Sequence, residues 1–280
     1  MPEGHTVHRQ ARELRGRFRG QVVAASSPQG RFEAGAALLD GQAVRVVEAF
    51  GKHLFLQVES RVWLHVHLGL AGVWTFGDGP APTPRGTVRL RLVGGGQWAD
   101  LRGPVVCEVI TGPQRRAIHD RLGADPLRRD ADPDRAGRLV LRSKVSIGGL
   151  LMRQDVVAGI GNVYRAEALF RQRIDPWAAG SSLTPQVWQA LWSDLVLLLR
   201  DGLRRGRIVT TDAQHRSRRS GTVLVQDAHY VYRRTGLACR VCATTVVAEP
   251  MAGRTLYRCP ACQHAGSPPA YYSACFASVL

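Results

Sequence analysis

The sequence predicts an α+β chain of several domains: a strand-rich N-terminal part, a helical middle and a small cysteine-bearing C-terminal module. Three observations carry that expectation. Short apolar runs alternating with period two fill residues 21–109, a helical apolar period takes over beyond residue 147, and two Cys-x-x-Cys pairs follow from residue 239.

The first element, "TVHRQARELRGRFRG" over residues 6–20, reads as a helix stopped by Gly20. It places Pro2 and Glu3 of the opening "MPEGH" just ahead of a helix N-terminus. Pro at position 2 is small enough to let the initiator methionine be trimmed, leaving a secondary amine beside a carboxyl group. An α-amine titrates near about 7.7–8.0, against about 10.4 for a Lys side chain, so enough of it is neutral near pH 7 to attack a carbon centre. The plain alternative is a processing site and nothing more. "AVRVVEAF", "HLFLQVE", "RVWLHVHL", "TVRLRLV" and "VVCEVI" then read as short strands of a β-sandwich or barrel. "GDGPAPTPRG" (77–86) reads as a loop, and "GADPLRRDADPDRAG" (123–137) as an interdomain linker.

Beyond the linker the helical stretches are 147–173 and 184–206. Thr184-Pro185 starts the second, with a capping hydroxyl and Pro at the first helical position. Residues 200–219 hold seven Arg and two Asp, and 210–221 lacks any period, so this part reads as a mobile basic loop.

The charge balance narrows the partner. In 280 residues, 38 Lys and Arg face 22 acidic side chains, a net charge of +16 that draws polyanions, above all nucleic acid. No run of 18 apolar residues and no hydrophobic signal core is present, which predicts a soluble intracellular protein without a membrane partner. Only Lys52 and Lys144 are lysines. A chain this biased towards Arg keeps Lys where an ammonium must give up a proton, which a guanidinium does not do; ordinary phosphate contacts are the competing reading.

"CRVC" (239–242) and "CPAC" (259–262) supply Cys239, Cys242, Cys259 and Cys262, with 16 residues between the pairs. That spacing offers four thiolates to a tetrahedral zinc ion held in a β-hairpin. Two disulfides are the alternative, disfavoured in a basic intracellular protein. With all four positions filled by Cys, the ion is structural. Cys107 and Cys275 fall outside the pattern and read as buried or unreactive.

"AGIGNVYRAEALF" (158–170) joins a Gly-marked turn to a helix start. Outward N–H groups and the Asn162 amide there suit a phosphate, although a packing turn between helices explains Gly-x-Gly-Asn equally well. Glu167 shares a helical face with Val163 and Phe170, so its carboxylate is expected to accept hydrogen bonds from turn N–H groups. In "GRTLYRCPACQ", Arg254 lies in the cysteine hairpin, where a rigid fork can grip phosphate. "GKHLF" puts Lys52 at a bend between strands. "HLGLAG" puts Leu70 in a Gly-flanked loop, either as a core residue or as a wedge for a base stack.

Taken in order, the N-terminal Pro-Glu-Gly, "GKHLF", "GIGNVYRAEALF", "VYRRTGLAC" and "GRTLYRCPACQ" resemble the formamidopyrimidine-DNA glycosylase and endonuclease VIII family over nearly the whole chain. "MPEGH" is more similar to the endonuclease VIII branch. The resemblance implies a β-sandwich with a flanking helix over 1–122, a helix–two-turn–helix domain with its basic loop over 123–228, and a β-hairpin zinc finger over 229–280. It implies a monomer in the cytoplasm, at the bacterial nucleoid, acting on damaged double-stranded DNA, with single-stranded DNA as a second candidate. Its cofactor would be one structural Zn²⁺. Pro2 would be the nucleophile at C1′, Glu3 the general acid/base on the sugar, and Lys52 a proton donor in strand cleavage. Asn162 and Arg254 would grip phosphates, Arg254 also serving the second elimination. Leu70 would fill the gap left by the extruded base, and Arg121 would touch DNA. Gly69 and Ala71 stand where endonuclease VIII carries polar and aromatic residues flanking that wedge. The implied activity is removal of oxidised bases, pyrimidines favoured, followed by β,δ-elimination. The alternatives are an oxidised-purine glycosylase and a non-catalytic zinc-finger protein that binds nucleic acid.

Overall fold

A computed structural model describes residues 2–264 and divides the chain into two compact units, Met1–Arg128 and Arg129–Leu280. Cys275 lies outside the described residues.

In the first unit, helix α1 (Gly4–Phe18) buries Val7, Ala11, Leu14 and Phe18, one stripe at helical spacing. The strands are β1 (Val22–Ser26), β2 (Gln42–Phe50), β3 (His53–Val58), β4 (Trp63–His67), β5 (Val73–Asp78), β6 (Val88–Gly94), β7 (Gln97–Arg102) and β8 (Val106–Ile110). They run in the order β5-β7-β6-β1-β2-β3-β4-β8, and every named pairing is antiparallel. β1 and β2 share only Val22↔Ala43 and Val23↔Gln42. The order therefore falls into two four-stranded halves joined at a narrow seam. One hydrophobic core draws on both, Leu90, Leu92 and Leu101 from one half with Leu54, Leu56 and Leu64 from the other. This is the sandwich the period-two runs predicted.

Two short helices accompany the strands, α2 (Glu33–Leu39) between β1 and β2 and α3 (Gly112–Asp120) after β8. The second has a readable signal: Thr111 and Gln114 form a reciprocal capping box, with Pro113 in the first turn. The expected loop at 77–86 is shortened, because β5 runs to Asp78, whose carboxylate accepts from Arg17 and Gln97.

The second unit opens inside the segment read as a linker. Helix α4 (Pro133–Leu141) begins there, with the Asp132 side chain accepting from the Arg135 N–H at 2.8 Å. The long helical stretch then splits into α5 (Ile147–Leu150) and α6 (Asn162–Arg171), parted by a turn in which Gly159 takes φ +92°. The Gln154 side chain braces that turn, accepting from the Gly159 N–H and donating to the Ile160 carbonyl. Helix α7 (Pro185–Arg205) starts at Thr184, whose hydroxyl accepts from Val187 N–H, and stops at Gly206 with φ +73°. A hairpin of β9 (Val247–Met251) and β10 (Arg254–Arg258) completes the described fold. Ala252 and Gly253 between them both have positive φ, the geometry of a two-residue type I′ turn. Among the described residues no helix is long and apolar enough to cross a membrane.

Candidate nucleic-acid site and metal centre

Pro2 is half-buried and precedes Glu3, which caps α1 and is fully buried. Thr6 Oγ1 accepts from the Glu3 backbone N–H at 3.4 Å, turning the chain into the helix. Next to them, burial pushes the His5 imidazole down to about 4, so it is neutral at physiological pH.

One buried carboxylate ties this helix to the turn that carries Lys52. Asp125 is 1% exposed. It accepts from His8 Nε2 on α1 at 2.7 Å, from Gly51 N–H at 2.7 Å and from Leu127 N–H at 2.9 Å. Gly51 and Lys52 form the two-residue turn between β2 and β3, closed by the pair Phe50↔His53. The half-buried Lys52 thus springs from a turn held to the same helix that presents Pro2 and Glu3.

Leu70 projects from the β4–β5 loop, 58% exposed, while Leu68 just before it is buried. Gly69 between them has φ +65°, and a Cβ there would meet Val105 Cγ2 at 2.2 Å, so glycine is required at the base of this projection. Arg121 is the exposed C-cap of α3.

In the second unit every residue of α6 is buried. The Asn162 amide donates to the Thr255 carbonyl at 2.8 Å, joining the helix start to the hairpin one residue past Arg254. That uses one of its two N–H groups. Its oxygen accepts from Arg165. Glu167 accepts from three successive backbone N–H groups, Tyr230 at 2.7 Å, Val231 at 2.8 Å and Tyr232 at 2.7 Å, and from the Thr210 hydroxyl. This is the turn-binding role that the inward carboxylate implied. Arg254 stands exposed directly after the type I′ turn.

The four cysteines converge. Their Sγ atoms all lie within 4.8 Å of one another, with Cys239–Cys262 at 4.0 Å and Cys242 at 3.4 Å from both Cys259 and Cys262. Zn–S bonds of about 2.3 Å in a tetrahedron set sulfurs about 3.8 Å apart, so the set fits such an ion. Burial works against ionising Cys242, yet hydrogen bonds from Thr244 and the neighbouring thiols prevail and bring it down to about 6. Cys107 is different: burial pushes its thiol up to about 12, which leaves it protonated and unreactive.

The basic stretch is more ordered than its lack of period suggested. Thr210 and Thr211 are buried, and the Tyr230 hydroxyl donates to Asp212 and lies 2.9 Å from His215. Arg171 forks onto Asp194 and donates to the Thr210 carbonyl. Thr210, Thr211, Asp212, Arg216 and Ser217 spend their side chains on such local bonds, which leaves no helical period to read. Arg218 and Arg219 remain exposed.

The predicted site residues therefore fall into two sets. Pro2, Glu3, Lys52, Leu70 and Arg121 belong to the first unit; Asn162, Arg254 and the cysteines belong to the second. Sequence reading missed Asp125, although "LGADPL" was in view for Arg121. It also missed His53 and His65, which only strand register brings together.

Two family descriptions match the chain: "Formamidopyrimidine-DNA glycosylase N-terminal domain" over residues 1–103 and "Formamidopyrimidine-DNA glycosylase H2TH domain" over 122–214. The chain is 46% identical over 267 residues to the protein called Endonuclease 8 1 of Mycobacterium tuberculosis, covering 94% of this chain and all of that one. It is 31% identical over 272 residues to a formamidopyrimidine-DNA glycosylase of Thermus thermophilus, covering 95% and 98%. Among solved structures, the MutM (Fpg) protein of Thermus thermophilus superposes with a TM-score of 0.73 at 30% identity, covering 94% and 98%. Lactococcus lactis Fpg bound to DNA containing an abasic site has the same fold, with a TM-score of 0.78 at 24% identity, covering 94% and 100%.

Replacing Glu167 by Ala strips the acceptor from three N–H groups at once. The variant should lose at least about 3 kcal/mol in urea unfolding of the full chain. A loss below about 1 kcal/mol would show that these N–H groups find water instead.

Proposed function

Because the chain belongs to the formamidopyrimidine-DNA glycosylase and endonuclease VIII family, whose members are DNA glycosylases with AP lyase activity, we propose that it removes oxidised bases, pyrimidines by preference, through a Schiff base on Pro2. It is a base-excision-repair glycosylase. The observation supporting the finer reading is the single carboxylate of Asp125 that holds the helix behind Pro2 and Glu3 to the turn of Lys52.

A base inside a duplex shields its C1′, so the nucleotide must leave the stack at a cost of a few kcal/mol. Phosphate contacts from Arg254, Asn162 and the Arg-rich surface offset that cost, Arg121 touches the DNA, and Leu70 fills the vacated space. The Pro2 nitrogen then bonds C1′ as the base departs. Glu3 delivers a proton to the sugar ring oxygen, the ring opens, and the nitrogen–carbon adduct becomes an iminium. Its positive charge acidifies the C2′ proton. Loss of that proton expels the 3′ phosphate, and a second elimination, in which Arg254 takes part, expels the 5′ phosphate. Lys52 supplies a proton during cleavage. Cys239, Cys242, Cys259 and Cys262 hold Zn²⁺, which stiffens the hairpin that carries Arg254 and leaves no position for a reacting water. The protein works as a monomer in the cytoplasm, at the nucleoid, on damaged duplex DNA. Its parts are a catalytic sandwich over 1–122, a helix–two-turn–helix domain over 123–228 and a zinc finger over 229–280.

Borohydride reduction on DNA with an oxidised base should leave a covalent product at residue 2, on protein whose mass lacks methionine. An N-terminal extension should abolish trapping but not DNA binding; trapping that persists rules out Pro2.

Purified protein should carry about one Zn²⁺ per chain. Cys259→Ser should lose the metal and bind DNA more weakly, and full activity without zinc would overturn the metal's role.

The formamidopyrimidine relatives favour a second reading, an oxidised-purine substrate. Single-turnover rates on thymine glycol should exceed those on 8-oxoguanine opposite cytosine, and the reverse order assigns the purine specificity.

A further inference from the structure

β3 and β4 pair so that His53 faces His67 and Phe55 faces His65, while β4 and β8 pair so that His65 faces Glu108. Cross-strand partners share a face, and Glu48 of β2 faces Phe55, so three imidazoles and two carboxylates line one side of this half of the sandwich, beside Lys52. His65 Nδ1 lies 2.8 Å from Glu108 Oε1, and His65 Nε2 lies 2.9 Å from His53 Nδ1. Phe55 stacks on the His65 ring at 5.0 Å and His67 meets the His53 ring edge-on at 4.9 Å, so neither of the bonded rings is loose.

These contacts permit one proton order. A carboxylate only accepts, so His65 Nδ1 carries its hydrogen. The neutral His65 ring then offers Nε2 as an acceptor, and His53 Nδ1 must donate to it. Neutral His53 is left with a lone pair on Nε2. Burial keeps both rings neutral, pushing His53 down to about 3 and lowering His65 against the pull of Glu108. The charged and titratable groups facing the pair agree. Lys52 from the hairpin turn, His65 and His67 from β4 and Arg121 from the end of α3 all oppose a proton on His53. Glu108 comes from β8, and Glu48 of β2 is taken up by Arg115 of α3, which lies over the Phe55 ring rather than on the imidazoles.

We propose that Glu108, His65 and His53 form a polarised hydrogen-bond chain that ends in an acceptor at the Lys52 corner, making Glu108 and His65 positioning residues for strand cleavage. The inference rests on the proton-donor role given to Lys52 above. An acceptor at this corner favours the charged, proton-bearing Lys52. Without Glu108, His65 is free to take its other tautomer, which reverses the chain and puts an N–H where the lone pair was.

Glu108 is half exposed on an edge strand, so Glu108→Val leaves the core untouched. Nitrogen-15 spectra should place the His53 proton on Nδ1 in the parent and on Nε2 in Glu108→Val. Single-turnover cleavage of a pre-formed abasic site by that variant should be about fivefold slower, with DNA affinity unchanged and the alkaline limb of the pH profile moved to lower pH. Glu108→Gln keeps an oxygen acceptor and should restore rate and limb. Parental behaviour of Glu108→Val beside a slow Lys52→Arg overturns the chain alone, as does a His53 proton on Nε2 in the parent. A Lys52→Arg protein at the parental rate overturns both the role of Lys52 and the corner the chain would serve.

Discussion

Three backbone N–H groups in a row cannot be buried without an acceptor, and at residues 230–232 the acceptor is the Glu167 carboxylate, delivered from the middle of a fully buried helix. Much of the second unit hangs on that contact. Fixing Tyr230 places its hydroxyl between Asp212 and His215, which orders the start of the basic stretch. The same segment leads into the cysteine hairpin. From the first turn of the same helix, Asn162 reaches the hairpin again at Thr255. One helix therefore grips the metal-bearing module at its entry and beside its tip. Arg254 inherits its position from that double hold.

The first unit uses the same physics at Asp125. A carboxylate out of water is costly unless its lone pairs are filled, and here two backbone N–H groups and an imidazole fill them. In each unit a buried acid organises chain that has little regular structure of its own. Lys52 and Arg254 then project from turns that are stiffer than their length suggests.

What could be read from the sequence was local. The Cys-x-x-Cys pairs, the Thr184 cap and the period-two runs each declare themselves within a few residues. Glu167 was legible because a carboxylate between Val163 and Phe170 on an apolar face needs donors. What escaped was set by register or by distance. His53, His65 and Glu108 meet only when three strands are aligned, and no spacing within one strand predicts it. Asp125 sits in a stretch that looked like linker, and two of its three partners, His8 and Gly51, come from far upstream. The order in 210–219 escaped because its side chains are spent on turn contacts, which carry no period. The start of α4 was lost to the same Pro- and Asp-rich composition that suggested a linker, although those residues also open helices.

The contact between His8 and Asp125 spans 117 residues of chain. During synthesis the helix behind Pro2 leaves the ribosome first, while its carboxylate partner follows only after the last strand and helix of that unit. The tether between the N-terminal helix and the turn of Lys52 closes as a late, long-range event, of the kind that slows folding. A chain that stops short of Asp125 has the N-terminal helix without that tether. Assembly order thereby leaves Pro2, Glu3 and the Lys52 turn untethered until nearly the whole first unit has been made.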